Sequence, residues 1–308
     1  MKIRVPQNER PSPGGLLTPC WAIAVLLLVG NVAWADESWF HHGKPGGRNT
    51  LFQWSNGSGS DGGPPGYDEP LSTDRPDFTE ASTTVGRGVV QIETGYTYTY
   101  DSEGGKTTKL HSFPETLFRI GLLAQWFELR IAPNYVEQTT RGANPSEFLT
   151  GATDLYLGIK LGLTPQEGML PEMALIPQMF VPTGSSDLTA GEVLPGVNWI
   201  YAWDITQRLS IAGSTQINSA LDDVTNDDYW LVAQSSVANW SITERVGVYF
   251  EYFGLYPHGA DTVKPIHFVN GGFSLLVTDN LQLDWRAGVG LNRAAADYFT
   301  GTGFSVRF

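Results

Sequence analysis

Near its C-terminus the chain alternates apolar and polar side chains one by one. Leu281, Leu283, Trp285, Ala287, Val289 and Leu291 hold one parity, and Gln282, Asp284, Arg286, Gly288 and Gly290 hold the other. Successive Cβ atoms of an extended chain point to opposite faces, so a period of two predicts a strand with one apolar and one polar side. The alternation resumes after residues 292–297, with Tyr298, Thr300, Thr302, Phe304, Val306 and Phe308 on one face and Phe299, Gly301, Gly303, Ser305 and Arg307 on the other. Followed backwards, the same texture predicts strands over 89–100, 109–123, 126–137, 149–163, 170–182, 193–203, 208–220, 229–242, 246–256, 265–277, 281–291 and 298–308.

These amount to about twelve strands, joined by longer connections after the odd ones (101–108, 138–148, 183–192, 221–228, 257–264) and short turns after the even ones (124–125, 204–207, 243–245, 278–280). An even strand number, strands of about ten residues and this long–short rhythm predict an all-β fold, a closed antiparallel transmembrane β-barrel with both ends on the periplasmic side. Hydrocarbon tolerates no unpaired backbone donor, so a spanning sheet must close on itself. A soluble sandwich is the competing architecture. Against it stand the ionisable residues on the faces opposite the apolar ones: Glu93, Arg119, Glu128, Arg130, Asp154, Lys160, Glu251, Asp284, Arg286 and Arg307. A dry core could not hold so many charges, whereas a hydrated lumen can. Inside a lumen they are expected to form facing ladders that constrict a pore and set its selectivity, or else to pair and fill the interior.

Composition agrees with this picture. The chain is 41% hydrophobic with 35 glycines, yet its mean hydropathy of -0.15 shows that the apolar residues are dispersed rather than bunched. Residues 1–35 read as a signal peptide: Lys2, Arg4 and Arg10 precede the apolar run 21–32, and Ala33-Trp34-Ala35 supplies the small-x-small cleavage pattern. The run is too short to cross a bilayer comfortably as a helix. Cys20, the single cysteine, falls inside this segment, so the mature chain has no disulfide framework. Residues 36–70 read as a disordered Gly/Ser/Pro-rich linker, densest over 56–66, ahead of a barrel over 71–308. A net charge of -13, more negative once the basic leader is gone, leaves no basic patch for nucleic acid.

Chemistry is sparse. His111, His258 and His267 are the candidates for a hydrolase sited at a barrel rim, but neither a Gly-x-Ser-x-Gly elbow nor an HExxH pair occurs. No catalytic residue, metal or cofactor is therefore assigned. His41-His42 lack carboxylate or cysteine partners. Asp222-Asp223 and Asp227-Asp228 could chelate calcium at the cell surface, although EF-hand spacing is missing.

Directly before the first strand, the compact charged stretch Leu71–Ser82 contains Thr73-Asp74-Arg75-Pro76-Asp77-Phe78-Thr79-Glu80. It resembles the signature of a bacterial family named for a MetA pathway of phenol degradation, with Asp74, Arg75 and Pro76 its most specific part. The resemblance covers roughly residues 71–308. It implies an exported, transporter-like outer-membrane barrel and, through the family's name, small aromatic or hydrophobic solutes. The motif is expected to act as a clasp at the barrel mouth, with Arg75 paired to Asp74, Asp77 or Glu80. Phe304, Val306 and Phe308 resemble the C-terminal signal read by barrel-assembly machinery. The expected partners are that machinery, outer-membrane lipids and lipopolysaccharide, and a small-molecule solute. The expected function is a transporter or diffusion channel; the alternatives are a non-conducting structural or adhesive barrel and, further off, a rim hydrolase.

Overall fold

The computed structural model describes residues 49–52, 62–142, 146–222 and 224–308. The expected signal peptide, His41-His42, most of the expected linker and Asp223 lie outside the described residues. Within them, regular structure is entirely strand: β1 (Val90–Glu103), β2 (Lys106–Phe113), β3 (Leu117–Gly121), β4 (Phe127–Ala132), β5 (Tyr135–Arg141), β6 (Glu147–Ala152), β7 (Leu155–Thr164), β8 (Glu172–Val181), β9 (Leu194–Asp204), β10 (Leu209–Leu221), β11 (Asp228–Ser241), β12 (Val246–His258), β13 (Ile266–Thr278), β14 (Leu281–Gly290) and β15 (Tyr298–Arg307).

Three pairs of these segments are single strands interrupted midway. The lower part of β1 pairs with β3 and its upper part with β2; β4 then pairs with β7, and β5 with β2 and β6. Counting β2–β3, β4–β5 and β6–β7 once each gives twelve antiparallel strands. The ring closes where β15 pairs with β1, from Gln91↔Arg307 to Tyr100↔Tyr298, and Val90 and Phe308 exchange both backbone hydrogen bonds. The predicted closed barrel of twelve strands is the observed fold.

Some boundaries differ from the expectation, for physical reasons. The expected strands 109–123 and 126–137 are broken at residues 114–116 and 133–134. Pro114 and Pro133 have no N–H to give the ladder there. The third break, at Thr153-Asp154, lies alongside, with Thr153 N–H turning to Asn134 O at 3.1 Å. The loop expected over 101–108 is instead a tight hairpin about Gly104-Gly105, both at positive φ.

The parity of the strands sorts the side chains as expected. Trp230, Trp240, Phe250, Phe273, Trp285 and Phe304 point outward and stay exposed, while Glu93, Arg119, Glu128, Arg130, Lys160 and Glu251 point inward and are buried. Both Val90 and the C-terminus lie at the end of the short turns, here the turn end; the other is the loop end. Near the loop end the lumen is apolar. Tyr229, Leu231, Ala233, Phe253, Leu255, Ile266 and Phe268 pack with Ala295 and Ala296 of the loop between β14 and β15, which folds inward.

Candidate functional site: a strap through the lumen

The charged stretch ahead of β1 does not sit at the barrel mouth. Residues 62–88 form a strap that enters the turn end, crosses the lumen and returns to begin β1. Having no apolar periodicity, the strap adds no strand, and its backbone groups are satisfied largely by inward side chains of the wall.

At the mouth, Arg307 donates to the carbonyls of Gly66, Tyr67 and Glu69, at 2.6–3.2 Å. Deeper in, wall carboxylates take pairs of strap N–H groups. Glu93 accepts from Asp74 and Arg75 N–H, and Glu251 from Phe78 and Thr79 N–H, all within 3.1 Å. Glu128 accepts from Val85 N–H and Glu172 from Gly63 N–H. These are charge-assisted bonds, the stronger kind.

Two adjacent strap residues reach in opposite directions around the wall. Asp74 meets Arg130 at 2.6 Å, Lys160 at 2.8 Å and Arg119 at 3.5 Å, on β4, β7 and β3. Arg75 reaches the other way, forking onto both carboxylate oxygens of Asp284 on β14 at 3.0 and 3.1 Å and onto Glu115 at 3.2 Å. The expected pairing of Arg75 with Asp74, Asp77 or Glu80 is therefore wrong. A guanidinium next to Asp74 in sequence finds the carboxylates of the wall, while the cations of the wall take Asp74. Gly95 and Gly303, paired between β1 and β15, open the slot for Arg75: a Cβ on either would come within 2.4–2.5 Å of its guanidinium. Glycine there is a packing requirement.

The remaining expected lumen residues divide into three groups. Arg119, Glu128 and Arg130 form one contiguous network with Glu93, Asp74 and Glu80, rather than ladders facing across open water. Arg286 donates to Pro76 O and Thr97 Oγ1 and lies 5.7 Å from the centre of the Phe299 ring. Asp154 stands apart from the network, taking Gly184 and Ala190 N–H to pin the loop between β8 and β9. Asp222 likewise uses its carboxylate on Thr262, Val224 and Thr225, tying together two connections at the loop end. No group of three or more metal-type side chains occurs among the described residues. Two of the histidines face away from the lumen: His111 bonds Tyr96 and His267 bonds Tyr252.

Electrostatics set the strap's two aspartates apart. Burial works against a charge on Asp74, but Arg119, Lys160 and Arg130 override it and hold its carboxyl well below the usual carboxylate range. Asp77 goes the other way, pushed well up by burial and by the neighbouring Glu251. Asp77 lines a cavity of about 1160 Å³ between the strap and the turn-end halves of β8–β14, with Glu80, Glu172, Asp204 and Tyr249. At the strap's deepest point Phe78 stacks on Phe253, with ring centres 4.5 Å apart and planes within 7°. Phe253 stacks in turn on Phe268 at 5.1 Å, and Phe299 closes the group.

Neither the strap's path nor the aromatic group is among the features that the sequence pattern predicts. Parity offered one signal: Phe253 and Leu255 lie on the same face as Glu251, so their strand carries apolar residues into the lumen.

A closed antiparallel sheet of twelve strands around a side-chain-bound strap defines a filled β-barrel. The chain belongs to the family described as "Putative MetA-pathway of phenol degradation", whose model matches residues 73–308. Among solved structures it is similar to an outer membrane channel from Pseudomonas putida F1, with 12% identity over 79% of this chain and 99% of that one, at a TM-score of 0.57. Weaker likenesses are to the NanC porin (11% identity, 70% and 98% covered, TM-score 0.43) and to an anion-selective porin from Comamonas acidovorans (10%, 71% and 98%, 0.35). At such identities the likeness is one of fold. Among curated proteins no sequence matches.

Proposed function

We propose that the protein is an outer-membrane channel of a diderm bacterium that passes small solutes, with the strap as its constriction. The observation that carries this reading is the way the strap is held. A segment bound through side chains, beside a cavity of about 1160 Å³, can move without breaking the barrel's backbone ladder. The aromatic stack at the strap's tip and the family's name together support small aromatic or otherwise hydrophobic solutes, for which Phe253 and Phe268 offer ring faces. In this reading Glu93, Arg119, Glu128, Arg130, Lys160, Asp284 and Arg286 line the constriction once the strap shifts, and set its selectivity. The refolded barrel in planar bilayers should conduct, and proteoliposomes should take up a small aromatic tracer faster than empty vesicles.

One observation favours a second reading, a non-conducting structural or adhesive barrel: the strap and inward loop pack the lumen closely, leaving Glu93, Arg119 and Glu128 wholly buried. Absence of both conductance and tracer flux, even after the strap's ion pairs are weakened, would decide for it.

A further inference from the structure

The inner face of β8, β9 and β10 carries a row of carboxamides that the strap uses only in part. Gln178, Asn198, Gln216 and Asn218 all have inward parity, and Asn198 stands in register with Gln216. Tyr156 donates its hydroxyl to Gln178 Oε1 at 3.1 Å, and Gln178 Nε2 donates to Asn218 Oδ1 at 2.7 Å. That second bond crosses Gly196, which lies in register with both; a Cβ there would come within 1.9 Å of Asn218 Oδ1. Gln178 and Asn218 thus hold each other across Gly196, and Asn198 stands beside them on the neighbouring register position. Asn198 is 1% exposed. Its Nδ2 donates to the strap's Glu80 at 3.2 Å, while its Oδ1, also buried, has no hydrogen-bond partner among the described residues. A folded chain rarely leaves a buried acceptor unpaired.

The missing partner has a definite chemistry. It must donate to Asn198 Oδ1 and, in place of Glu80, accept from Asn198 Nδ2. A hydroxyl does both; a carboxylate has no proton to give, and an ammonium has no lone pair to offer. Glu80 alongside disfavours an anion. One strand further round, Leu231 stands in register with Asn218 and begins the apolar cluster, which suits a solute with an apolar face.

We propose that the β8–β10 wall is a binding subsite for neutral solutes bearing hydroxyl groups, with Asn198 at its centre and Glu80 as its resident occupant. The proposal rests on the channel reading, and its test separates the two. The full chain, refolded in detergent, is titrated calorimetrically with glucose and with catechol, and with the fully methylated analogue of each. Glucose or catechol should bind, and whichever does identifies the source of the hydroxyls. Its methylated analogue, Asn198→Leu and Asn198→Asp should each weaken binding about tenfold, the worth of roughly one hydrogen bond. Glu80→Ala should strengthen binding, and outward-facing Thr215→Val should leave it unchanged. Failure of both solutes to bind, equal binding of the methylated analogues, or unaltered affinity in both Asn198 variants would overturn the subsite. Planar-bilayer current and tracer flux on the same preparation and on Asp74→Asn test the channel separately: current without binding removes the subsite alone, and binding with neither current nor flux in either protein upholds the subsite while removing the channel.

Discussion

Asp74→Asn is the sharpest perturbation of the strap. The exchange keeps the shape of the side chain and an oxygen to accept Ala81 N–H, now at 2.8 Å, but deletes the charge that faces Arg130, Lys160 and Arg119. Arg119 retains Glu93 and Glu128, and Arg130 retains Glu80 and Glu128. Lys160 keeps no ion pair among the described residues, only carbonyl partners such as Ala81 O. Removing one member of a buried pair costs about 3–5 kcal/mol, which moves the balance between seated and released strap by roughly two to four decades. Single-channel recording should show that shift as a large rise in open probability, and protease added on the turn side should cut residues 62–88 in the variant far faster than in the parent. The barrel itself should persist as a compact band on unheated gels, because no ladder bond has been touched. Asp74→Asn combined with Lys160→Met should recover part of the loss, since the second change removes the orphaned cation. Unchanged open probability and unchanged cleavage, in a variant that still forms the compact band, would refute the claim that Asp74 holds the strap.

Asp77 predicts a pH response of opposite sign. Its folded pKa is raised, so its contribution to seating is fully present below the unfolded value and is lost as pH rises through the raised one. Asp74, held low, keeps its contribution throughout that window and loses it only in stronger acid. Conductance should therefore be smaller at pH 5 than at pH 8, and Asp77→Asn should flatten the difference; a larger conductance at pH 5 would contradict the assignment. Arg75→Lys cannot reproduce the fork onto Asp284 together with the contact to Glu115, so it should raise open probability, though less than Asp74→Asn because a charge remains; an effect as large as that of Asp74→Asn would count against a surviving contact. Deleting Phe308 removes both backbone bonds to Val90 and the exposed terminal ring. Less folded barrel should reach the membrane in cells, and undiminished assembly would remove the proposed recognition role of Phe304, Val306 and Phe308.

Much of the wall was legible because a period of two is a direct consequence of backbone geometry. The strand count and the inward placement of Glu128 and Arg130 follow from parity, and the closure of β15 on β1 follows from the need to pair every backbone donor. The breaks had a visible signal in Pro114 and Pro133, each inside a stretch otherwise read as continuous strand. The strap was recognisable as a motif but not as a path. Arg75 lies 209 residues from Asp284 in the chain, and no local pattern encodes such a pairing. Asp154 and Arg286 share one parity rule yet serve different partners, because parity gives a direction and leaves the neighbour undetermined.

The strap also has a bearing on how wide the barrel can be. Asp74 and Arg75 are consecutive residues, so the distance their side chains can bridge is fixed by covalent geometry. One must reach Arg130 and Lys160 while the other reaches Asp284, and three residues further on Phe78 and Thr79 must meet Glu251. A barrel's diameter grows with its number of strands. A ring with two strands more would pull one set of contacts out of reach, and one with two fewer would crowd them. The strap precedes every strand in the chain and is enclosed by all of them. It works as a gauge of girth, and only a sheet of the right circumference satisfies it as Phe308 closes on Val90.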